Sequence, residues 1–147
     1  MPEPSRAVVV AGRPPPVGAY PHLRVVGDLI FVSGTSARQV DGTIAGAVVE
    51  ADGQVRRDIR VQTRAVVDGI AAVLAAEGAS LADVVDVTSF LVTMEDFPGY
   101  NETYAEYFSA DSGPTRTTVA VHQLPHPHLA IEIKAVARDP GSRAKMG

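Results

Sequence analysis

Two ionisable side chains stand out in the stretch from Gly113 to Ala137, which is otherwise rich in valine, isoleucine, alanine and threonine. Arg116 lies in its first half and Glu132 in its second, on either side of a turn centred near Leu124-Pro125. The spacing predicts a hairpin with both residues on the sheet face away from the helices, within a pair or two of each other. An arginine fork matches a carboxylate and a glutamate can transfer protons, so the pair predicts a site for a small carboxylate substrate.

A simpler interpretation of the same spacing is structural. Arg116 and Glu132 then form a cross-strand salt bridge at a contact between subunits. A buried pair of this kind is often no more stabilising than apolar side chains of similar volume. Spacing alone favours this second interpretation over a catalytic one, and both remain open at this point.

Further polar residues are candidates for the same site. His122, His126 and His128 are close enough in sequence to raise a metal site, but two prolines interrupt them and no carboxylate lies between them, so no metal is expected. His122 shares the predicted face of Arg116 and is a candidate hydrogen-bond donor to a second carboxylate, or simply part of a polar turn. Arg38 is a candidate second cation for such a substrate, or a solvated loop residue.

Composition limits the function classes. The chain has 147 residues, 46% hydrophobic and 20% charged, which fits one globular domain. The formal net charge is −4 without a basic run, so no nucleic-acid partner is expected. The absence of cysteine excludes disulfides and thiol nucleophiles. Neither a secretory signal nor an apolar run long enough for a membrane is recognisable, so a cytoplasmic protein without a membrane partner is expected.

The elements that must position these residues follow from local patterns. A Pro/Gly-rich extended segment precedes two strands that turn at Gly27-Asp28. A helix is predicted from an Asp58 cap to Gly78, followed by a β-branched strand, a tyrosine-rich helix and the final hairpin. Residues 139–147 are predicted to be a frayed polar tail. The order ββ-α-β-α-ββ predicts an α+β fold with both helices on one face of a single sheet, leaving an apolar face for subunit contact.

Several short motifs, in order, resemble the Rid family, the reactive intermediate deaminases also called YjgF. They are VGAY, FVSGT, FPGYNETYAEYF, GPTRTTVAV, LP and IEIKAVA, and they cover about Gly18 to Arg138. Within the family, the chain is most similar to 2-aminomuconate deaminases, through SGTSAR, YAEYF and RTTVAVHQLPHPHLAIEIK. It departs from the common family pattern at Thr118 and Lys134, where many relatives carry Cys and a second Glu.

The resemblance implies a chorismate-mutase-like α+β fold: one domain over residues 1–147, with its core at about 18–138. It implies a homotrimer whose sites lie between subunits, and hydrolysis of enamines or imines without a cofactor. The family's carboxylate-binding arginine falls on Arg116 and its acidic residue on Glu132. Other positions of the family's cleft fall on Tyr20, Ser33, Gly34 and Asn101.

The function that these implications favour is hydrolysis of 2-aminomuconate to 4-oxalocrotonate (2-oxohex-3-enedioate) and ammonia, in the catabolism of aromatic compounds. A broad deaminase of 2-imino acids would use the same pair. A regulatory trimer that binds oxo acids without chemistry is a third possibility, against which Glu132 argues because binding a carboxylate needs only the arginine. A chorismate-mutase-type isomerase would favour several cations, and the predicted hairpin offers one clear arginine.

Overall fold

A six-stranded sheet and two α-helices make up most of the computed structural model, which describes residues 5–141. The helices are α1 (Ile59–Ala75) and α2 (Phe97–Tyr104). The strands are β1 (Arg6–Val8), β2 (Leu23–Val26), β3 (Leu29–Ser36), β4 (Ala47–Val49), β5 (Val55–Arg57), β6 (Val84–Leu91), β7 (Thr115–Ala120) and β8 (Ile131–Arg138). The sheet order is β1-β2-β3-β8-β6-β7, and β4 and β5 form a separate two-stranded ribbon.

The local signals in the sequence produce the predicted elements. Strands β2 and β3 turn at Gly27, whose φ of +60° lies in the left-handed region that glycine adopts without strain. The Asp58 carboxylate accepts hydrogen bonds from the backbone N–H groups of Arg60 and Val61 and so caps α1. Gly78, with a φ of +72°, follows the end of that helix. These four predictions, for the hairpin, both ends of α1 and the helix between them, are confirmed.

Both helices lie on one face of the sheet, as predicted. The apolar stripe of α1 is buried against β3 and β8. Helix α2 packs beside α1, and the Tyr100 hydroxyl hydrogen-bonds the Ser89 hydroxyl of β6 at 2.6 Å. The stripe of α1 includes Val66, Ile70, Val73 and Leu74. The helices therefore seal one face of the sheet and leave the other, the open face, without cover from the described chain.

The predicted final hairpin is wrong. Strand β7 pairs in parallel with β6, and β8 pairs antiparallel with both β6 and β3, so β6 lies between the two supposed hairpin partners. Helix α2 connects β6 to β7, and a helical crossover of this kind gives parallel strands. The ten-residue connection 121–130 is then long enough for β8 to enter the sheet on the other side of β6.

This topology also corrects the predicted face of Arg116. Arg116 is aligned with Val87 of β6 on the helix face, where its guanidinium contacts aromatic side chains of α2. Glu132 alternates with Ile131 and Ile133, which are buried under the helices, and therefore lies on the open face. The two residues were predicted to share the open face, but only Glu132 is there.

Two parts of the fold were not anticipated. Strand β1 adds an edge to the sheet by pairing with β2, and β4 and β5 form a ribbon in the stretch before α1, where no strand was predicted. The Pro-rich segment between β1 and β2 is not helical, as predicted, but it turns at Ala11-Gly12 and bends again around Gly18 instead of running extended throughout. Most of the predicted frayed tail lies outside the described residues. Within residues 5–141, no helix has the length and apolarity needed to cross a bilayer.

Candidate active site between the β3 bulge and helix α2

Glu132 lies against an irregularity in β3. The register between β3 and β8 shifts between Val32 and Thr35, where three steps along β3 face two along β8, so β3 has a bulge at Ser33-Gly34. A Cβ atom on Gly34 would lie 2.6 Å from Oε2 of Glu132, so a larger residue would displace the carboxyl group from its present position. Glycine at this position therefore sets where the carboxyl group of Glu132 lies.

The environment of Glu132 favours its protonated form. Burial raises the pKa of the Glu132 carboxyl above its ordinary value, because a charged carboxylate is poorly solvated there. Among residues 5–141 no side chain pairs with it to offset this effect. A carboxyl with a raised pKa and no fixed partner is suited to exchanging protons with a bound molecule.

A cavity of about 200 Å³ opens beside Glu132. Its walls come from the N-terminal segment, the β3 bulge, the loop before β8 and one residue of α1. Four other predicted site residues line it, namely Tyr20, Ser33, Gly34 and Arg38. The structure thus brings five of the eight predicted site residues together around one space.

Polar contacts hold the N-terminal segment over this cavity. The Nδ1 atom of His22 accepts a hydrogen bond from the Val10 N–H at 2.8 Å, and its Nε2 donates to the Pro14 carbonyl at 2.8 Å. These partners define a neutral imidazole with its proton on Nε2. The Ser33 hydroxyl donates to the Pro21 carbonyl at 2.7 Å. Ser33 therefore fixes the cavity wall with its side chain, a role that the sequence did not reveal.

A buried glutamine holds the loop that leads into β8. Gln62 of α1 is fully buried, donates from Nε2 to the His128 carbonyl at 2.8 Å, and accepts from the Ala130 N–H at 2.8 Å. It therefore fixes the backbone two residues before Glu132. Sequence reasoning missed Gln62, and its signal was a polar residue on the apolar face of a predicted helix.

The histidines of the same loop have different environments. His126 lines the cavity, and its Nδ1 accepts the backbone N–H of His128 at 3.0 Å, which leaves Nε2 to carry the proton of the neutral ring. His122, the predicted candidate, is exposed and is not part of the cavity wall. In the described part of the chain, no three histidine or carboxylate side chains lie close enough together to hold a metal ion.

Arg116 lies in an aromatic enclosure on the helix face. Its Cζ atom is 4.7 Å from the ring centroid of Tyr104, 5.2 Å from that of Tyr100 and 5.8 Å from that of Phe97. Its Nη2 donates to Oδ1 of Asn101 at 2.9 Å. Cation–π contacts and this hydrogen bond orient the guanidinium before any ligand binds. Asn101, predicted as a cleft residue, therefore positions Arg116.

The enclosure contains an unusual hydroxyl group. The Tyr104 hydroxyl is buried and has no hydrogen-bond partner among residues 5–141. Burial raises the pKa of Tyr104 to about 12, so it stays neutral. Since Asn101 is the one acceptor that Arg116 uses within these residues, further guanidinium N–H groups remain available to an incoming carboxylate.

A single chain does not bring Arg116 and Glu132 together. They lie on opposite faces of the sheet, with β6 between β7 and β8. The ion pairs of the described chain do not include one between them, so the predicted salt bridge is not present within a subunit. The cavity beside Glu132 and the aromatic enclosure around Arg116 are two separate half-sites.

The family is shown by comparison with known proteins. The model of a family described as endoribonuclease L-PSP matches residues 10–139, nearly all of the described chain. The chain belongs to this family, which includes the Rid proteins. The Rid resemblance of the motifs and the chorismate-mutase-like α+β fold are thereby confirmed.

Individual Rid relatives match over almost their full length. A RutC family protein of Pyrococcus abyssi is 40% identical over 124 residues, covering 84% of this chain and 89% of the relative. A protein of Dermatophagoides farinae named 2-iminobutanoate/2-iminopropanoate deaminase is 30% identical over 133 residues, covering 90% and 95%. The crystal structure of the yeast protein YEO7 superposes with a TM-score of 0.79 at 31% identity, covering 92% of this chain and 99% of that one.

Proposed function

We propose that this Rid protein is a deaminase that hydrolyses enamine and imine acids, with 2-aminomuconate as its preferred substrate. The observation that carries the proposal is the pair of half-sites with complementary chemistry. One presents an oriented guanidinium with free N–H groups, and the other a half-buried carboxyl with a raised pKa beside a cavity. The similarity to a relative named as an imine deaminase supports the same reaction class.

The two half-sites meet in a homotrimer in this proposal. Arg116 of one subunit reaches the cavity that Glu132 of its neighbour lines. The open face supports such a contact, because Phe31 and Val119 expose 39% of their surface there and Val26 exposes 43%. Apolar side chains grouped on a sheet face are typical of a surface covered by another subunit.

The proposed reaction begins with the enamine tautomer bound through the carboxylate next to the nitrogen-bearing carbon. Arg116 holds that carboxylate bidentately. A proton is added to C5, at the far end of the conjugated diene, and the nitrogen releases one, which converts the enamine to the 2-imine with its remaining double bond between C3 and C4. Water then adds to the imine carbon. Glu132 positions the water, accepts its proton and returns a proton to the nitrogen. Cleavage of the carbon–nitrogen bond releases ammonia and leaves the 2-oxo acid, here 4-oxalocrotonate.

An ammonia-release assay tests this proposal. Freshly generated 2-aminomuconate and 2-iminopropionate are compared at equal enzyme concentration, with spontaneous hydrolysis subtracted. The expected result is release from both, with the larger kcat/KM for 2-aminomuconate. Ammonia release from neither substrate would overturn the proposed chemistry and favour a regulatory trimer that only binds oxo acids.

A second candidate function is a broad deaminase of small 2-imino acids. The match to the 2-iminobutanoate/2-iminopropanoate deaminase of Dermatophagoides farinae favours it. Equal kcat/KM values for the two substrates would identify this function. A nucleic-acid substrate is disfavoured by the net charge of −4 and the absence of a basic run.

A further inference from the structure

Arg13, which the sequence did not single out, lines the same cavity as Glu132. Arg13 and Arg38 both line it, and both also line a second depression, which shares Pro14 and Ser36 with the cavity. Arg13 and Arg38 therefore lie at the boundary between the cavity and this depression.

The guanidinium of Arg13 lies in a space that a helix glycine provides. Gly69 is in the interior of α1, where glycine is less favourable than alanine. A Cβ atom on Gly69 would lie 2.6 Å from Nη2 of Arg13 and 3.1 Å from Cγ2 of Thr35. Alanine at this position would push the guanidinium away from the helix, so the glycine permits the observed position of Arg13.

The guanidinium of Arg13 has N–H groups that make no hydrogen bond within residues 5–141. Its Nε is buried and makes no hydrogen bond, and no carboxylate among residues 5–141 forms an ion pair with its guanidinium. Buried donors of this kind are rarely left unpaired, and a ligand is one way to satisfy them. Arg38 has a partner, since its Nη2 donates to the Pro15 carbonyl, which holds that side chain at the cavity wall.

The charge of the cavity also favours an anion. Two arginines line it against one acidic residue, Glu132, although the whole chain carries a net charge of −4. The cavity wall extends from Glu132 on the open face, past the β3 bulge, to Val73 of α1 on the helix side. A bound molecule that begins at Glu132 therefore has a second, cationic region within the same cavity.

We propose that Arg13 and Arg38 form a second carboxylate site, which binds the carboxylate at the far end of a dicarboxylic substrate. This rests on the proposed function, because it uses the cavity in which Glu132 acts. Arg13 provides the guanidinium with unpaired N–H groups, Gly69 provides the space in which it lies, and Arg38 adds a second positive charge. The site makes the enzyme select diacids over monoacids that differ only at that end.

Two unreactive acids with the same six-carbon diene chain test the inference. Muconate has a carboxylate at both ends, whereas sorbate has a methyl group in place of one carboxylate. Titration calorimetry on the assembled full-length protein should show muconate binding at least tenfold more tightly, which is the expected effect of one or more charge-assisted hydrogen bonds. Equal affinity for the two acids, or no binding of muconate, would overturn the inference.

Two variants assign the preference to this site. Arg13→Gln should weaken muconate binding about tenfold to a hundredfold and leave sorbate binding unchanged. Gly69→Ala should have the same selective effect by displacing the guanidinium, while the melting temperature is unchanged or higher. Arg56→Gln is the matched control, since Arg56 is exposed, pairs with Glu50 and does not line the cavity. If both cavity variants keep the wild-type ratio of affinities, the inference is wrong, and Gly69→Ala decides the matter if Arg13→Gln does not fold.

The same variants separate this inference from the proposed function. Arg13→Gln should lower kcat/KM for 2-aminomuconate more than for 2-iminopropionate, which has one carboxylate, and Arg56→Gln should change neither. If the wild-type protein releases no ammonia from either substrate but still distinguishes muconate from sorbate through Arg13, the chemistry is wrong and the second carboxylate site stands. If ammonia is released but muconate and sorbate bind equally well, the proposed chemistry stands and the second carboxylate site is wrong.

Discussion

Arg116 and Glu132 lie on opposite faces of one sheet, and strand β6 separates the strands that carry them. A single substrate cannot contact both residues of the same subunit. Two variants that are inactive for different reasons should therefore restore each other's activity when their subunits mix. In mixed trimers of Arg116→Ala and Glu132→Gln, about a quarter of the sites would contain both native residues after random exchange.

Complementation is measured by mixing the two variants under conditions that allow subunit exchange and following ammonia release. Sedimentation of the parent and of the mixture should give about three times the chain mass of 15.4 kDa. A mixture that exchanges subunits but stays as inactive as its components would show that no site combines residues from two subunits. Each variant mixed with itself is the control.

Arg116→Lys should impair substrate binding more than the chemical step. Lysine keeps the charge but loses the planar fork and its bidentate contact with a carboxylate, and its ammonium does not stack on the rings of Tyr100 and Tyr104 in the same way. The loss of one charge-assisted hydrogen bond, about 1.5–3 kcal/mol, should appear mainly as a higher KM. Steady-state kinetics on 2-iminopropionate and 2-aminomuconate measure this effect. Unchanged kinetic constants would place the carboxylate clamp elsewhere.

Glu132→Gln should lower kcat by about 10²–10⁴-fold, the usual contribution of a positioned acid or base. The amide keeps the size of the side chain beside Gly34 but does not exchange a proton. Muconate, which does not react, should still bind the variant. Turnover close to that of the parent, in a protein of normal mass, would assign Glu132 a structural role only.

The pH dependence of stability reports the environment of the same carboxyl. Because burial raises the pKa of Glu132 in the folded protein, the folded state holds the proton more tightly than the unfolded state. This contribution to stability is fully present below the ordinary value of 4.5 and is lost as the pH rises through the raised value. Glu132→Gln should therefore gain stability relative to the parent as the pH rises above 4.5.

Urea unfolding at several pH values and one fixed protein concentration measures this difference. The gap between variant and parent should widen with pH and then level off. A gap that does not widen would indicate that a positive charge from a neighbouring subunit, such as Arg116, offsets the burial of Glu132 in the assembly.

Tyr104→Phe should be tolerated. The Tyr104 hydroxyl is buried without a partner in the described chain, and its removal relieves an unmet desolvation cost of about 1–3 kcal/mol. The phenylalanine ring keeps the cation–π contact with Arg116. The variant should match or exceed the parent in melting temperature and keep its KM. A marked loss of stability would reveal an acceptor for this hydroxyl on another subunit.

The sequence predicted individual elements better than their arrangement. The caps of α1 and the β2–β3 turn depend on one or two residues and their backbone conformation, so local patterns reveal them. The pairing of β7 depends on whether β6 or β8 forms hydrogen bonds with it. The alternation of side chains within one strand does not encode that choice. A helix between two strands was the available signal for a parallel pair.

Site residues divide in the same way. Tyr20, Ser33, Gly34 and Glu132 meet at one cavity because neighbouring strands and the segment before them carry them. Arg13 was missed because its place depends on a contact with Gly69, 56 positions away in the chain. The predicted meeting of Arg116 with Glu132 failed within one chain because it depended on the incorrect hairpin.

Strand β8 is the last strand of the described chain, yet it lies near the middle of the sheet. Strands β1–β3 on one side and β6–β7 on the other have no pairing with each other except through it. During synthesis both parts therefore keep an open edge until residues 131–138 have left the ribosome, and open edges favour aggregation. A chain that ends before residue 131 would remain as two incomplete sheets. The carboxyl group of Glu132 thus enters the fold in the same step that closes the sheet, so no partly made chain can contain a complete half-site around it.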